Sequence, residues 1–271
     1  MQKKRDKFLQ NKFCTPALQF VSILKLFGIY LPFSQIFIVT NMKKNDLPIN
    51  IPLLDKGYIE LQDFMGDDLA IVNAARVSFL GESKGDVKDK KLLHYLLRNA
   101  HTSPFEMVEF KFRIKCPLFV ARQWLRHRTW NINEISRRYT SEELDFYIPN
   151  TWRLQSTDNK QCSSGNAKQA IQNQFTEQMQ QHVDSALTTY QQMLDAGIAR
   201  EQARMVLPQN MYTIFIGKVD GHNLMHFMKL RMDEHAQYEI RVYAEAIYEH
   251  FFKAVLPWSA EAFETYIINK D

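Results

Sequence analysis

The sequence predicts an α+β fold, an antiparallel sheet packed with helices, and three observations carry that expectation. Val108, Phe110, Phe112 and Ile114 alternate with Glu109, Lys111, Arg113 and Lys115, the period of a strand with one buried face. Ile171, Phe175, Met179, Val183, Ala186, Tyr190 and Leu194 recur at near-helical spacing before Gly197, which reads as one long amphipathic helix with a glycine stop. No GxGxxG or Gly-rich phosphate loop occurs, so a nucleotide here is not held in the Rossmann manner.

Taken in order, residues 1–41 are expected to form an N-terminal extension and 42–271 a single domain. MQKKRDKFLQNK is basic and Pro16 to Val39 largely apolar, a pattern shared by signal peptides and membrane anchors. Lys25 and Pro32 interrupt the run and no clean cleavage site follows. The favoured expectation is therefore that Met42 is the natural start and the preceding residues are a poorly ordered extension or a start-site artefact. Tyr58–Leu61 reads as a short strand. Gly66 and the Asp67-Asp68 pair then cap a helix carrying Leu69, Val72, Ala75 and Arg76, closed by Ser78. Asp89 is the expected N-cap of KKLLHYLLRN, with Leu92, Leu93, Leu96 and Leu97 as its buried stripe and His94 on its surface. The strand reading is carried from Cys116 back to His101, and its parity puts the Glu106 carboxylate on the apolar face, where it needs partners or a shifted pKa.

Arg122 to Tyr139, RQWLRHRTWNINEISRRY, holds five arginines and no lysine. Guanidinium forks are preferred over ammonium where a phosphate or a flat oxygen-bearing ring is gripped at two points. Pro117 starts a helix whose Gln123, Arg126 and His127 would share one face; beyond Thr129 the segment through Ser136 has no clear period and reads as a polar loop. A solvated basic helix or a nucleic-acid face is the competing reading of these charges. Beyond it, Glu142–Trp152 reads as loop and Gln155–Gln169 as a mobile polar excursion. Ile198–Leu207 reads as a shorter helix placing Arg204 among apolar neighbours, Tyr212–Val219 as a strand, and Asp220 as the cap of a last helical region. Within that region Ile240, Ala244, Ile247 and Phe251 form a packed stripe. Arg231, between Leu230 and Met232, calls for an anion or carbonyl partner, or a salt bridge to Asp233 or Glu234.

Arg126-His127-Arg128 followed after seven residues by Ser136 resembles the signature of the flavin-dependent thymidylate synthases. HTSPFEM at 101–107, DDLAIVNAARVS at 67–78, ARMVLPQNMYT at 203–213 and LMHFMKLRMDEHAQYEI at 224–240 resemble further elements of that family in the same order. The resemblance spans roughly 58–257 and departs from the family at Met107, where histidine is frequent. It implies the thymidylate synthase-complementing protein fold and the reductive methylation of dUMP to dTMP. FAD would be the cofactor, with NADPH and 5,10-methylenetetrahydrofolate as co-substrates. It implies FAD contacts from Ser78, Ser103, Glu106, Arg126, His127, Arg128, Glu134, Asp220, Gly221, His222 and His226. For dUMP it implies Gln123, Trp124, Leu125, Arg126, Glu134, Ile135, Ser136, Arg137, Arg138, Arg204 and Arg231. Arg231 would activate the ring by stabilising an N3-deprotonated uracil, with His101 and Arg138 serving the folate. Family members are homotetramers with sites between subunits.

The formal charge of +4, from 34 Lys+Arg against 30 Asp+Glu, is far below that of a nucleic-acid-coating protein. Three scattered cysteines, Cys14, Cys116 and Cys162, without a CxxC, indicate neither a disulfide framework nor a zinc knuckle and favour a reducing cytoplasm. His222 and His226 stand four apart without a convincing carboxylate, so no metal is expected. A nucleic-acid-binding module and an RNA uracil methylase are the alternative functions. Fractionation of the tagged full-length chain tests the expectation for the N-terminus: recovery in the soluble fraction is expected, and stable recovery in the membrane pellet contradicts it.

Overall fold

The computed structural model describes residues 43–140, 144–157, 159 and 162–269; the N-terminal extension lies outside them. Strands β1 (Ile49–Leu53), β2 (Gly57–Met65), β3 (Glu109–Pro117), β4 (Asn131–Glu134) and β7 (Tyr212–Asp220) form one antiparallel sheet in the order β1-β2-β3-β7-β4. β5 (Arg153–Gln155) and β6 (Ser163–Asn166) make a separate two-stranded ribbon. β3 is central because its alternation is cleanest: Phe110, Phe112, Ile114 and Cys116 are buried. Pairing runs from Glu109 opposite Asp220 at one end to Pro117 opposite Tyr212 at the other.

Among the helices, α1 (Asp68–Arg76) starts where Asp67 accepts a hydrogen bond from the Ala70 backbone N–H, as the sequence predicts. α2 (Asp86–Arg98) starts three residues before the expected cap. Asp89 is instead fully buried and takes hydrogen bonds from Arg76, Ser83 Oγ and the Lys84 backbone N–H. A carboxylate with those donors is worth more as a tie between α1 and α2 than as a solvent-facing cap. His94 is partly covered, edge-on to Tyr266. The strand expected from His101 begins only at Glu109, because Ser103–Met107 winds into a 3₁₀ turn at Pro104. A three-residue turn breaks period-two parity, so Phe105 takes the buried place and Glu106 is exposed.

α3 (Leu118–Trp124) follows β3 directly, and α4 (Gln169–Asp195) is the predicted long helix, ended by Gly197 at φ +82°. Only Val183, Ala186 and Tyr190 of its stripe are buried, while Ile171 and Phe175 are exposed. The short helix α5 (Arg200–Ala203) leaves Arg204 exposed rather than among apolar neighbours. α6 (Gly221–Arg231) is capped by Asp220, which accepts from the Asn223 backbone N–H. α7 (Tyr238–Ala246) continues through a π-helical stretch at Ile247–Phe252 and buries Ile240, Ala244, Ile247 and Phe251 against the sheet core.

Where it is described, the segment expected to be a mobile excursion pairs Ser163–Asn166 with Arg153–Gln155, and its Ala167 N donates to Trp152 O at 2.8 Å. The residues before it are anchored too: Arg153 Nη2 donates to Glu239 at 2.6 Å, and Trp152 Nε1 donates to Thr176 Oγ1 of α4. The terminal helix α8 (Pro257–Phe263) is held by Asp68, whose buried carboxylate accepts from Trp258 N, Ser259 N and Ser259 Oγ at 2.7, 3.0 and 2.5 Å. Burial pushes that carboxyl up to about 6 against the pull of these donors. Asp68→Ala leaves all three donors buried without an acceptor and is expected to cost about 1–3 kcal/mol. Urea unfolding reads the loss, and Asp68→Asn, which keeps one acceptor oxygen, is expected to cost less.

Candidate active site

The arginine-rich stretch leaves the helical register at Leu125, the C-cap of α3. The His127 N–H closes a turn on Trp124 O, and Trp130 N on His127 O. Gln123, Arg126 and His127 therefore do not share a helix face: Arg126 is exposed and His127 is turned inward. The segment read as a loop then re-enters the sheet as edge strand β4, with Asn131 opposite Lys218 and Glu134 opposite Phe215. Four polar-rich residues carry no apolar alternation to announce a strand; backbone pairing with β7 supplies what the side chains do not.

His127 lies under α6. Arg231 Nε donates to His127 Nε2 at 2.9 Å, and Arg231 Nη2 donates to Gln123 O at 3.3 Å. Acceptance at Nε2 requires a neutral ring with its proton on Nδ1. Burial, followed by the charge of Arg231 and the proximity of His226, holds the His127 pKa down at about 4. Phe227 and His226 lie edge-on to it, with ring centroids at 4.9 and 6.2 Å. Burial also lowers the Arg231 pKa, but a guanidinium stays cationic in proteins. Among the described residues Arg231 has no ion pair with Asp233 or Glu234; Asp233 is engaged by His235. The carbonyl partner asked for by the sequence is Gln123 O, and the histidine was not foreseen.

Beneath this pair Trp124 is fully buried, stacked on Phe227 at 4.6 Å and edge-on to Trp130, Phe215 and Tyr243. Its side chain is core, so a ligand meets this residue only through its main chain. Leu125 is exposed, and Ile135 N donates to Ile214 O. Glu134 accepts from Thr213 Oγ1 at 2.5 Å, and Arg137 is buried with Nη2 donating to Tyr212 O at 3.4 Å. A groove of ≈ 360 Å³ beside them is lined by Arg113, Asn133, Glu134, Ile135, Thr140 and the facing residues of β7. That is enough for part of a nucleotide and not for a dinucleotide. Ser136 is half-buried and accepts from Arg138 N; Arg138 is exposed over the Tyr139 ring.

The remaining predicted residues gather elsewhere. Ser103 and Glu106 sit on the 3₁₀ turn, which packs against α6 near its start at Asp220, Gly221 and His222. A Cβ at Gly221 would meet Phe105 O at 2.8 Å and Val108 Cγ2 at 2.5 Å, so close packing accounts for that glycine. The 11 residues of α6 cover about 16 Å at helical rise, carrying the chain from this end of the sheet past exposed His226 to Arg231. His101 is exposed and edge-on to Tyr95, and Ser78 is exposed beyond α1. The predicted residues thus gather in two groups toward the two ends of α6, and among the described residues no hydrogen bond, ion pair or ring contact joins His101, Ser78 or Arg204 to Arg231 or His127. Among the described residues no carboxylate is within ion-pair distance of Arg126, Arg128, Arg138 or Arg204, and no three potential metal ligands cluster. Exposed, unneutralised forks of this kind fit the pyrophosphate of a dinucleotide cofactor and a nucleotide phosphate.

An α+β scaffold presenting such arginines beside a guanidinium held by a neutral imidazole defines a nucleotide-handling enzyme. Residues 60–258 match the family model described as thymidylate synthase complementing protein. The chain is 50% identical over 222 residues to a flavin-dependent thymidylate synthase of Thermus thermophilus, covering 82% of this chain and 81% of that protein. It is 44% identical over 223 residues to one of Thermotoga neapolitana, covering 82% and 98%. A solved structure of the UMP/dUMP methylase PolB from Streptomyces cacaoi bound with 5-Br dUMP superposes with a TM-score of 0.73 at 33% identity, over 80% of this chain and 98% of that one. The chain belongs to the flavin-dependent thymidylate synthase family.

The depressed His127 pKa has a consequence for stability. Between about 4 and the ordinary 6.5, the unfolded chain takes up a proton that the folded chain refuses, so stability falls as pH drops through that window. Denaturant unfolding at pH 7.5 and 5 is expected to show a larger loss for the wild type than for His127→Gln.

Proposed function

We propose that this protein carries out the reductive methylation of dUMP to dTMP, with 5,10-methylenetetrahydrofolate as one-carbon donor and NADPH as reductant. The observation that carries the reading is Arg231, a half-buried cation fixed by His127 and Gln123. With Nε and one Nη2 hydrogen engaged, the rest of its donors are left for a ligand oxygen. When bound, FAD supplies the passage of electrons from the nicotinamide to the one-carbon unit. Arg126, Arg128 and His226 are assigned to hold it, with His127, Glu134, Ser78, Ser103, Glu106 and the Asp220–His222 turn around it. Arg126 and Glu134 serve both ligands.

Gln123, Ser136, Arg137, Arg138 and Arg204 are assigned to dUMP, with main-chain contributions from Trp124, Leu125 and Ile135. Arg231 lies beside uracil O2 and stabilises negative charge on the ring as C5 becomes nucleophilic, without a protein nucleophile. Buried Cys116, its thiol pushed up by burial and by Glu134, is a poor candidate for one. His101 and Arg138 place the folate. The two separated groups on one chain favour assembly into a homotetramer whose pockets are completed between subunits. The exposed Val77, Phe79, Leu80, Ile171 and Phe175 offer apolar surface for it. Among the described residues no helix is long and apolar enough to cross a membrane, and the reading places the enzyme in the cytoplasm.

An anaerobic assay with FAD, NADPH, dUMP and 5,10-methylenetetrahydrofolate, scored for dTMP by chromatography, tests the function. dTMP that disappears when FAD is stripped is expected; steeply salt-dependent oligonucleotide binding without flavin would favour the nucleic-acid reading instead. Arg231→Lys is expected to keep FAD and lose turnover at least tenfold, because the charge stays but the fork does not. Near-wild-type dTMP formation would reject the activating role. His127→Ala, with its fold intact by circular dichroism, is expected to lose FAD absorbance.

A further inference from the structure

A cleft of ≈ 570 Å³ lies between α2 and the C-terminal segment that carries Glu261 and Tyr266, and the chemistry above uses none of its lining. The basic side chains of α2 in it face a single lining acid, Glu261. That carboxylate is already engaged: Lys90 Nζ donates to it, and His94 Nε2 lies 3.4 Å from it. Lys91 and Arg98 also line the cleft and are exposed, and among the described residues their side chains make no hydrogen bond or ion pair. Lys91, Tyr95 and Arg98 follow one another at i, i+4 and i+7 and so share one stripe of the helix. Its two cations stand about 10.5 Å apart along the axis. Exposed cations on a helix are ordinarily just solvated. Two of them left unneutralised in a concave cleft, with an aromatic ring between them, suit an elongated anion that has an apolar part. The stripe also leads to His101. The Tyr95 and His101 rings are edge-on with centroids 5.8 Å apart, and His101 is assigned above to placing the folate.

We propose that the cleft along Lys91, Tyr95 and Arg98 binds the glutamyl tail of the folate, so that the enzyme prefers poly-γ-glutamylated folates to the monoglutamate. The proposal rests on the folate-dependent reading above. A folate ends in a p-aminobenzoyl ring joined to glutamate, and every further γ-linked glutamate adds one carboxylate along a flexible chain. A tail laid from His101 along this stripe passes Arg98 and Tyr95 and then Lys91. The aminobenzoyl ring rests on Tyr95 while successive carboxylates meet Arg98 and Lys91. A compact anion has no use for two cations two helical turns apart; a chain with carboxylates at intervals does. Arg98 offers a planar fork to one carboxylate, and Lys91, a point charge on a flexible stem, follows the mobile end. Because both cations are exposed, each contact changes affinity by a few-fold and is weakened by salt.

The test is equilibrium binding of tetrahydrofolate mono- and pentaglutamate to the full-length, FAD-loaded protein with dUMP present, by anaerobic titration calorimetry at low and high salt. The wild type is expected to bind the pentaglutamate about fivefold to tenfold more tightly, an advantage that high salt reduces. Lys91→Gln/Arg98→Gln, at two exposed positions, is expected to bind both folates alike. Lys84→Gln/Lys88→Gln removes the same charge from exposed positions outside the cleft and is expected to keep the wild-type ratio. Equal wild-type affinities for the two folates would overturn the proposal while dTMP formation leaves the function reading intact. So would a preference that survives Lys91→Gln/Arg98→Gln, or one that both double variants lose equally. A FAD-loaded wild type that binds neither folate and forms no dTMP would overturn that reading and this proposal with it.

Discussion

The hydrogen bond from Arg231 to His127 is the constraint on which the rest of the site depends. It joins the last residue of α6 to the turn after α3, two segments more than one hundred positions apart. It exists only while the imidazole is neutral, and burial extends that neutral range from the ordinary 6.5 down to about 4. Phe227 lies edge-on to His127 and stacks on Trp124, whose ring is in turn edge-on to Trp130, Phe215 and Tyr243, so an aromatic nest backs the imidazole and joins α3 to α6. A cation so placed loses hydration without gaining a carboxylate. Its unspent donors are therefore available to a ligand at low reorganisation cost.

The sheet divides the remaining work. Antiparallel pairing of β3 with β7 puts Glu109 and Asp220 at one end and Pro117 and Tyr212 at the other. The turn at Ser103–Met107 and the start of α6 share the first end; Glu134, Thr213 and Arg137 lie toward the second. α6 spans the gap between them. The predicted residues on these elements thus fall in two groups toward the two ends of the sheet, and that separation fits the proposed sharing of sites between subunits.

Much of this was legible in the sequence. β3, β7, α1, α4 and the stripe of α7 follow from periodicity, and Asp67 and Asp220 cap the helices they were expected to cap. What was not legible depends on contacts distant in sequence. Asp89 and Asp68 look like local caps, but one ties α1 to α2 and the other holds α8. Glu106 was misplaced because Pro104 replaces a two-residue period with a three-residue one. β4 has no pattern of its own. The arginines of the site were visible from their number and the absence of lysine; the neutral acceptor for one of them was not, since nothing local to His127 predicts α6 above it.

The central claim is that His127 and Arg231 act as one unit, and a double-mutant cycle measures that most directly. dUMP affinity of the FAD-loaded protein would be determined for the wild type, His127→Gln, Arg231→Lys and the double variant. The account predicts strong non-additivity, with a coupling energy of about 1–3 kcal/mol, because either change already undoes the shared geometry. Losses that simply add, within about 0.5 kcal/mol, would show that the two residues serve the nucleotide independently and would contradict the account.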